Sequence, residues 1–429
     1  MSSDSATSEP IPEEVVRSPE ARPELTPEEA LARIAEGKPV EGVRIKRLKL
    51  RGEFAGPVVF KNCTLVRPEF GAATFKGDLT FVCCTLEQPR FTKPVTVEGN
   101  FGINGGCVNK AQIFRLTVRG SAHFSGACFR ANLLLDKCVF HQKVSWWGAR
   151  LDCWAEFKAC EFGQEADFRS LTCDQGLIFT DCTFTKDFLL RGSTLAKKLQ
   201  LDGSRFEQLL DLSKAKLNDF VYLEGIVQGP QMRFAFANAV AERILVRPEQ
   251  IEGRLASERE GRHEDAMHEY GLLKKCYQGL HRFDAEDWAF YRFKVNQRLA
   301  APGGWARPLR QLRRFCNWLF LDLGCGYGTN PVRAVRMALV IILGFAALYA
   351  VDVNGFHTEK LPFPDEPASS WSNRLMVGFT TSISVFTSGM GGVREVAKGW
   401  MNVPVMVESI MGTLLFGLFI VAFSRKVIR

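Results

Sequence analysis

The opening stretch of this 429-residue chain lacks the basic and apolar run of a secretory leader. Residues 1–24 are instead rich in Ser, Pro and Glu, with few large apolar side chains, a composition that predicts disorder. The thirteen cysteines are therefore expected as free thiols in a reducing cytoplasm. None of them falls in a Cys-x-x-Cys or Cys/His zinc spacing, so no metal site is expected. No arrangement of nucleophile, base and acid stands out, and no cofactor is implied. His263, His268 and His281 lie in charged helical stretches where solvation is the expected state. A strong charge of one sign is missing too. Lys and Arg number 55 against 47 Asp and Glu, and they scatter or flank apolar segments, which argues against a nucleic-acid surface.

What the chain has in quantity is phenylalanine, at 34 residues, and its placement is periodic. Phe129, Phe140, Leu151, Phe162, Cys173, Phe184, Leu195, Phe206 and Leu217 recur every eleven residues. A second series, also spaced by eleven, runs Phe124, Leu135, Trp146, Phe157, Phe168, Phe179, Leu190, Leu201, Leu212 and Leu223. Large residues thus alternate at five and six, a period that fits neither an amphipathic helix nor a plain strand. A fixed repeat of this kind marks a solenoid. Small residues stand two positions ahead of many of the large ones, among them Cys138, Cys160 and Cys182, which are 22 apart. One coil of four sides is then 22 residues, and roughly eight coils stacked at ~4.8 Å make a rod about 40 Å long. The stretch Asn100–Asn109 interrupts the pattern and reads as a loop.

The small-x-Phe/Leu-x-x units resemble the pentapeptide-repeat family over about 190 residues, most closely from Phe124 to Leu223. The resemblance implies a right-handed quadrilateral β-helix. Ahead of it, Thr26-Pro27-Glu28-Glu29 fits a capping box with Pro at the first helical position. Behind it, Ala256–Arg282 and Ala285–Leu299 read as two charged helices. Trp305, Leu309, Leu312, Cys316, Leu319 and Leu323 then mark one face of a basic amphipathic helix suited to a membrane interface.

Met337–Val351 carries no charge and reaches about twenty residues with Val332–Arg336, whose arginines snorkel. Val403–Phe423 is apolar but for Glu408. Arg333, Arg336, Arg425, Lys426 and Arg429 cluster at the outer ends of this pair, and the connection opens with Asp352, Glu359, Asp365 and Glu366. That bias predicts two spans in a cell membrane, with both termini and the β-helix cytoplasmic and lipid around the spans. Between the spans, Trp371–Phe386 has apolar residues at helical spacing but is too short and too rich in Ser and Thr to cross. Thr387-Ser388-Gly389-Met390-Gly391 follows directly. Glycines there let alternate carbonyls turn toward an ion.

The arrangement resembles the two-transmembrane pore-loop channels of the potassium-channel superfamily. Thr387, Gly389 and Gly391 match the Thr and the two Gly of the Thr-Val-Gly-Tyr-Gly filter, while Ser388 and Met390 replace Val and Tyr, and Gly392 replaces the usual Asp. The resemblance implies a homotetramer passing a monovalent cation, with Thr387 to Gly391 as filter. Glu408, Gly412, Leu415 and Phe419 would then lie on the inner helix toward pore and gate, Gly412 as hinge or as a site of close helix packing. Glu408 either acts in the pore or pairs with a polar group of the pore-helix bundle.

A rival motif is Phe320-Leu321-Asp322-Leu323-Gly324-Cys325-Gly326-Tyr327-Gly328, which resembles the S-adenosylmethionine loop of class I methyltransferases. The uniformly apolar helix after it and the 77 residues beyond Asp352 do not fit a doubly wound sheet. Gly326-Tyr327-Gly328 reads instead as an elbow before the first span. A gyrase-binding DNA mimic is disfavoured, because the repeats are not strongly acidic. The remaining alternative is a membrane-anchored, non-conducting solenoid scaffold, and a protein partner on the β-helix is left open in both readings. The expected product is an α and β multidomain membrane protein and not an enzyme. Its parts are a disordered tail (1–24), a capping helix (25–43), the β-helix (44–240), a helical linker (250–300), an interfacial helix and elbow (301–330), and an all-α two-span pore-loop domain (331–429).

Overall fold

One large inward residue every five or six positions leaves room only for short strands between corners, and that is how residues 40–245 are built. The structure, a computed structural model, describes residues 22–301, 315, 317–351, 370–388, 397 and 399–427. The chain forms two units divided between Leu280 and His281. The first is a parallel β-solenoid of about nine turns, one more than the repeat spacing suggested. Its strands pair into a ten-stranded and a twenty-five-stranded sheet.

Register follows the 22-residue spacing through the middle of the rod. Ala122 pairs with Val144, Val144 with Ala166, Ala166 with Phe188, and Phe188 with Leu210. The count is smaller at the start, where Val40 pairs with Phe60, and larger at the end, where Leu210 pairs with Phe234. The two eleven-residue series therefore resolve into four interior columns. In one of them Phe140, Phe162, Phe184 and Phe206 stack ring on ring at 5.4, 4.7 and 4.7 Å. In another Phe124, Trp146 and Phe168 stack at 4.0 and 5.8 Å. All are buried. Each such ring contributes about 1.5–3 kcal/mol by leaving water, and ~0.5–1.5 kcal/mol more by stacking.

The small column also points inward. Cys138, Cys160 and Cys182 each direct Sγ at a carbonyl of the coil before, on Ile113, Leu135 and Phe157, at 3.5, 3.5 and 3.2 Å. Ser204 continues the column, its hydroxyl donating to Phe179 O at 3.2 Å. Twelve cysteines are described and all are free thiols. Burial pushes the Cys153 thiol up to about 12 and those of Cys173 and Cys276 to about 11.

Asn100–Asn109 is not a loop. Phe101–Asn104 and Cys107–Asn109 are strands in register with their neighbours, and Phe101, Ile103 and Val108 fill the interior. The pattern fades there because Gly105 and Gly106 make the corner. A Cβ on Gly106 would stand 2.1 Å from Cys84 O.

Both ends of the rod are covered. Helix α1 (Pro27–Ala35) carries the expected capping box, Glu29 N donating to Thr26 Oγ1 and Thr26 N to Glu29 Oε2. It buries Ala30 and Ile34 against the first coil. At the far end come α2 (Pro248–Ile251), α3 (Ala256–Arg259) and α4 (His263–Gly279). The single helix expected over Ala256–Arg282 is thus two, broken at Gly261, whose φ is +73°. Helix α4, in the stretch expected as a helical linker, packs on the last strand, Val240–Leu245, and covers the end of the solenoid. Buried Glu269 accepts the Phe236 N–H at 2.7 Å and a hydrogen bond from Ser257 Oγ, and Cys276 Sγ reaches Ala241 O at 3.6 Å.

Burial raises the Glu269 carboxyl above its ordinary range, opposed by the hydrogen bonds from Ser257 and Phe236. A carboxyl with a higher pKa folded than unfolded binds more protons in the folded state. Its contribution is full below the unfolded value and declines as pH rises through the folded one. Glu269→Gln is expected to flatten the stability curve above about pH 4.3. Glu269→Ala is expected to cost ~2 kcal/mol through the orphaned Phe236 N–H. Thermal denaturation of the full chain across pH, followed by circular dichroism, checks both.

Candidate functional site in the helical unit

Four stretches of the second unit form long helices. Helix α5 (Phe283–Ala300) is charged; α6 (Pro331–Val351) and α8 (Asn402–Val427) are apolar; α7 (Trp371–Ser388) mixes apolar residues with Ser and Thr. Helices α6 and α8 are long and apolar enough to cross a membrane. Only 28% and 33% of their most apolar windows is buried within the chain, far less than a helix in the core of a water-soluble domain would bury. Of the interfacial helix and elbow expected over 301–330, residues 302–314 and 316 lie outside the described residues. Its described end, Asn317–Leu323, is a wide helical turn in which Gly324 N donates to Leu319 O. The Gly326–Gly328 turn follows, with Tyr327 at φ 55°, directly before α6.

Helix α7 is wedged between α6 and α8 at two points of backbone contact. A Cβ on Gly378 would meet Ala346 O of α6 at 2.4 Å, and one on Gly412 of α8 would meet Phe386 O at 2.5 Å. Close packing, one of the two roles considered for Gly412, is thus what the structure displays. Between these contacts lies Glu408, fully buried. Tyr349 Oη of α6 donates to Glu408 Oε2 at 2.6 Å. Ser382 Oγ of α7 lies 2.5 Å from Glu408 Oε1 and 2.9 Å from Ile342 O. The carboxyl therefore ties all three helices together. Tyr349, Val385, Ala397, Met401 and Val405 form the apolar cluster beside it.

The candidate residues are distributed as follows. Thr387 and Ser388 occupy the last turn of α7, where Thr387 Oγ1 donates to Ile383 O at 2.7 Å. Gly389, Met390 and Gly391 lie outside the described residues. Glu408, Gly412 and Leu415 are buried within the single chain, and Phe419 is half-buried and stacked on Phe423. Glu408 is accordingly seated against the bundle, with Ser382 as the polar partner.

Two ionic clusters were not foreseen. At the end of α8, Arg425 reaches Asp287 at 3.0 Å and Glu286 at 3.8 Å and lies over the Phe290 ring at 4.4 Å, while Lys426 faces Asp284 at 3.5 Å. Helix α5 therefore holds the last turn of α8. Asp322 binds Arg298 at 2.7 Å and the Tyr291 hydroxyl at 2.8 Å, with Arg333 at 3.9 Å. No sequence spacing announces either cluster. The nearest hint was the acidic first turn of α5 and the basic end of α8.

Ser382 has one hydrogen for two acceptors, so a donor at position 408 completes the pattern: glutamine would give its amide to Ser382 Oγ and accept from Tyr349. Glu408→Gln is therefore expected to change stability by less than about 1 kcal/mol, and Glu408→Ala to cost ~2–4 kcal/mol by removing the acceptor of the Tyr349 hydroxyl and leaving a cavity between the helices. Gly378→Ala and Gly412→Ala are each expected to cost ~1–3 kcal/mol by forcing the helices apart. Thermal unfolding in detergent micelles measures all four. No protein-family model, curated protein or solved structure matches this chain.

Proposed function

We propose that the chain is one subunit of a tetrameric pore-loop cation channel whose cytoplasmic domain is a pentapeptide-type, right-handed quadrilateral β-helix. The observation that carries this reading is where α7 stops. Its last turn, at Phe386, rests against Gly412, near the midpoint of the 26-residue α8. Ala397 and Met401, which follow in the chain, pack beside Tyr349 at the opposite end of α6 from Pro331. A helix that stops halfway along two spans, followed by chain returning to its starting side, is the geometry of a re-entrant loop. Non-helical backbone at such depth is tolerated only where it faces protein or water. The carbonyl end of α7 also bears negative partial charge, which favours a cation beyond Ser388. One such loop cannot surround an ion, so four copies around an axis are required.

In this reading Glu408 braces the pore helix from behind through Ser382 and Tyr349. The exposed apolar residues of α6 and α8 meet lipid and the other subunits. Asn317–Leu323 is helical where the methyltransferase motif needs a strand, which weighs against that alternative.

Purified protein in planar bilayers is expected to pass monovalent cations, and Gly389→Ala to abolish the current or shift its permeability ratios. Unchanged ratios would refute the assignment of the filter. A chain silent both as wild type and as Arg425→Glu, which releases the end of α8, is the non-conducting scaffold.

A further inference from the structure

We propose that one corner of the solenoid is the docking surface for the chain's own acidic N-terminal segment, residues 1–21. Two grooves, of about 360 and 380 Å³, lie along the corner that follows the strands Arg44–Lys46, Thr64–Val66, Thr85–Glu87 and Cys107–Asn109. Arg47, Arg67 and Gln88 line the first, and Lys110, Arg130 and Trp154 the second. They are continuous along the rod, because Arg47 N bonds Val66 O, Arg67 N bonds Glu87 O, Gln88 N bonds Asn109 O and Arg130 N bonds Val108 O. Trp154 is 43% exposed. Arg47, Arg67 and Lys110 are exposed, and none makes an ion pair among the described residues. The acids lining the grooves are Glu87 and Asp152, and Asp152 is held by Arg150 at 2.5 Å.

These cations occupy a costly place. Arg47, Arg67, Gln88 and Lys110 have φ of 53°, 53°, 53° and 52°, a left-handed backbone that a side chain disfavours. Another corner of the same rod meets that demand in part with Gly105, Gly126, Gly148 and Gly192, beside Cys83, Ser170 and Lys214. Stacking arginine over arginine one coil apart, at ~4.8 Å, adds repulsion. Strain and like charge together at an exposed corner point to a counter-charge that occupies it.

The counter-charge is at hand. Residues 1–21 contain Asp4, Glu9, Glu13, Glu14 and Glu20 against one basic residue, Arg17. The segment enters beside Arg44, at the start of the strand that leads to this corner: Glu24 bridges to Arg44, and its carboxylate sits 2.5 Å from Lys46 Nζ, which lines the first groove. One acid of the chain thus already engages a cation of the first groove, Lys46, one residue before Arg47. Twenty-one extended residues reach roughly 70 Å, and the row spans about 25 Å, so length is no obstacle.

In the full chain at low salt, a glutamate-specific protease is expected to cut after Glu13 and Glu14 about tenfold more slowly than in the Arg47→Glu, Arg67→Glu, Lys110→Glu triple variant, the effect of three exposed ion pairs together. Salt at about 0.5 M should erase the difference. A triple Gln variant gives the same comparison without introduced charge, and an unchanged thermal midpoint shows that each variant folds. Equal cleavage of wild type and both variants at low salt would overturn the proposal. So would an acidic twenty-residue peptide binding the intact chain as tightly as the chain lacking residues 1–21, since the corner would then be vacant for a partner in trans. Neither outcome depends on whether the protein conducts ions.

Discussion

The solenoid depends on one constraint: each coil hydrogen-bonds in parallel to the next with a nearly constant residue count. Parallel pairing at a fixed offset stacks every side chain on its counterpart one coil earlier. Phe162 therefore meets Phe140 and Phe184, and Cys160 meets Cys138 and Cys182. What is favourable inside becomes unfavourable outside, because the same rule stacks Arg67 beside Arg47. Interior columns gain dispersion and stacking from repetition, whereas surface columns need alternation or a counter-charge. The ends bear the other cost of an open ladder, and Glu269 shows how it is met: a carboxylate brought in by a capping helix satisfies a backbone donor that has no next coil.

The helical unit follows an opposite logic. Its helices satisfy their own backbones, so what fixes their arrangement is a small number of specific contacts. Gly378 and Gly412 bring backbones together, and Glu408 supplies the polar tie between α6, α7 and α8. The position of α7 therefore depends on these contacts together with its packing along α6 and α8.

This difference governs what could be read from the chain. Phe140, Phe162, Phe184 and Phe206 recur at a fixed step, and so do the cysteines, so the solenoid, its coil length and its interior were legible. Helices α6, α7 and α8 matched apolar stretches closely, since uniform or periodic hydrophobicity spans each. Tyr349 and Ser382 were not foreseen as partners of Glu408, because they lie 59 and 26 residues away and no spacing links them. The same holds for Arg425 with Asp287. Where the pattern itself was altered, as by Gly105 and Gly106 or by Gly261, local glycines replaced the expected residues, and a coil corner passed for a loop or two helices for one.

The drift in residue count along the rod has a further consequence. Val40 lies twenty residues before its partner, and Leu210 lies twenty-four before its own. The first and last coils are therefore not interchangeable. Strands stay paired across this drift, so the extra residues are taken up at the corners and not along the sides. The ladder therefore tolerates insertion where the chain turns, and coil length can change along a rod whose interior columns do not.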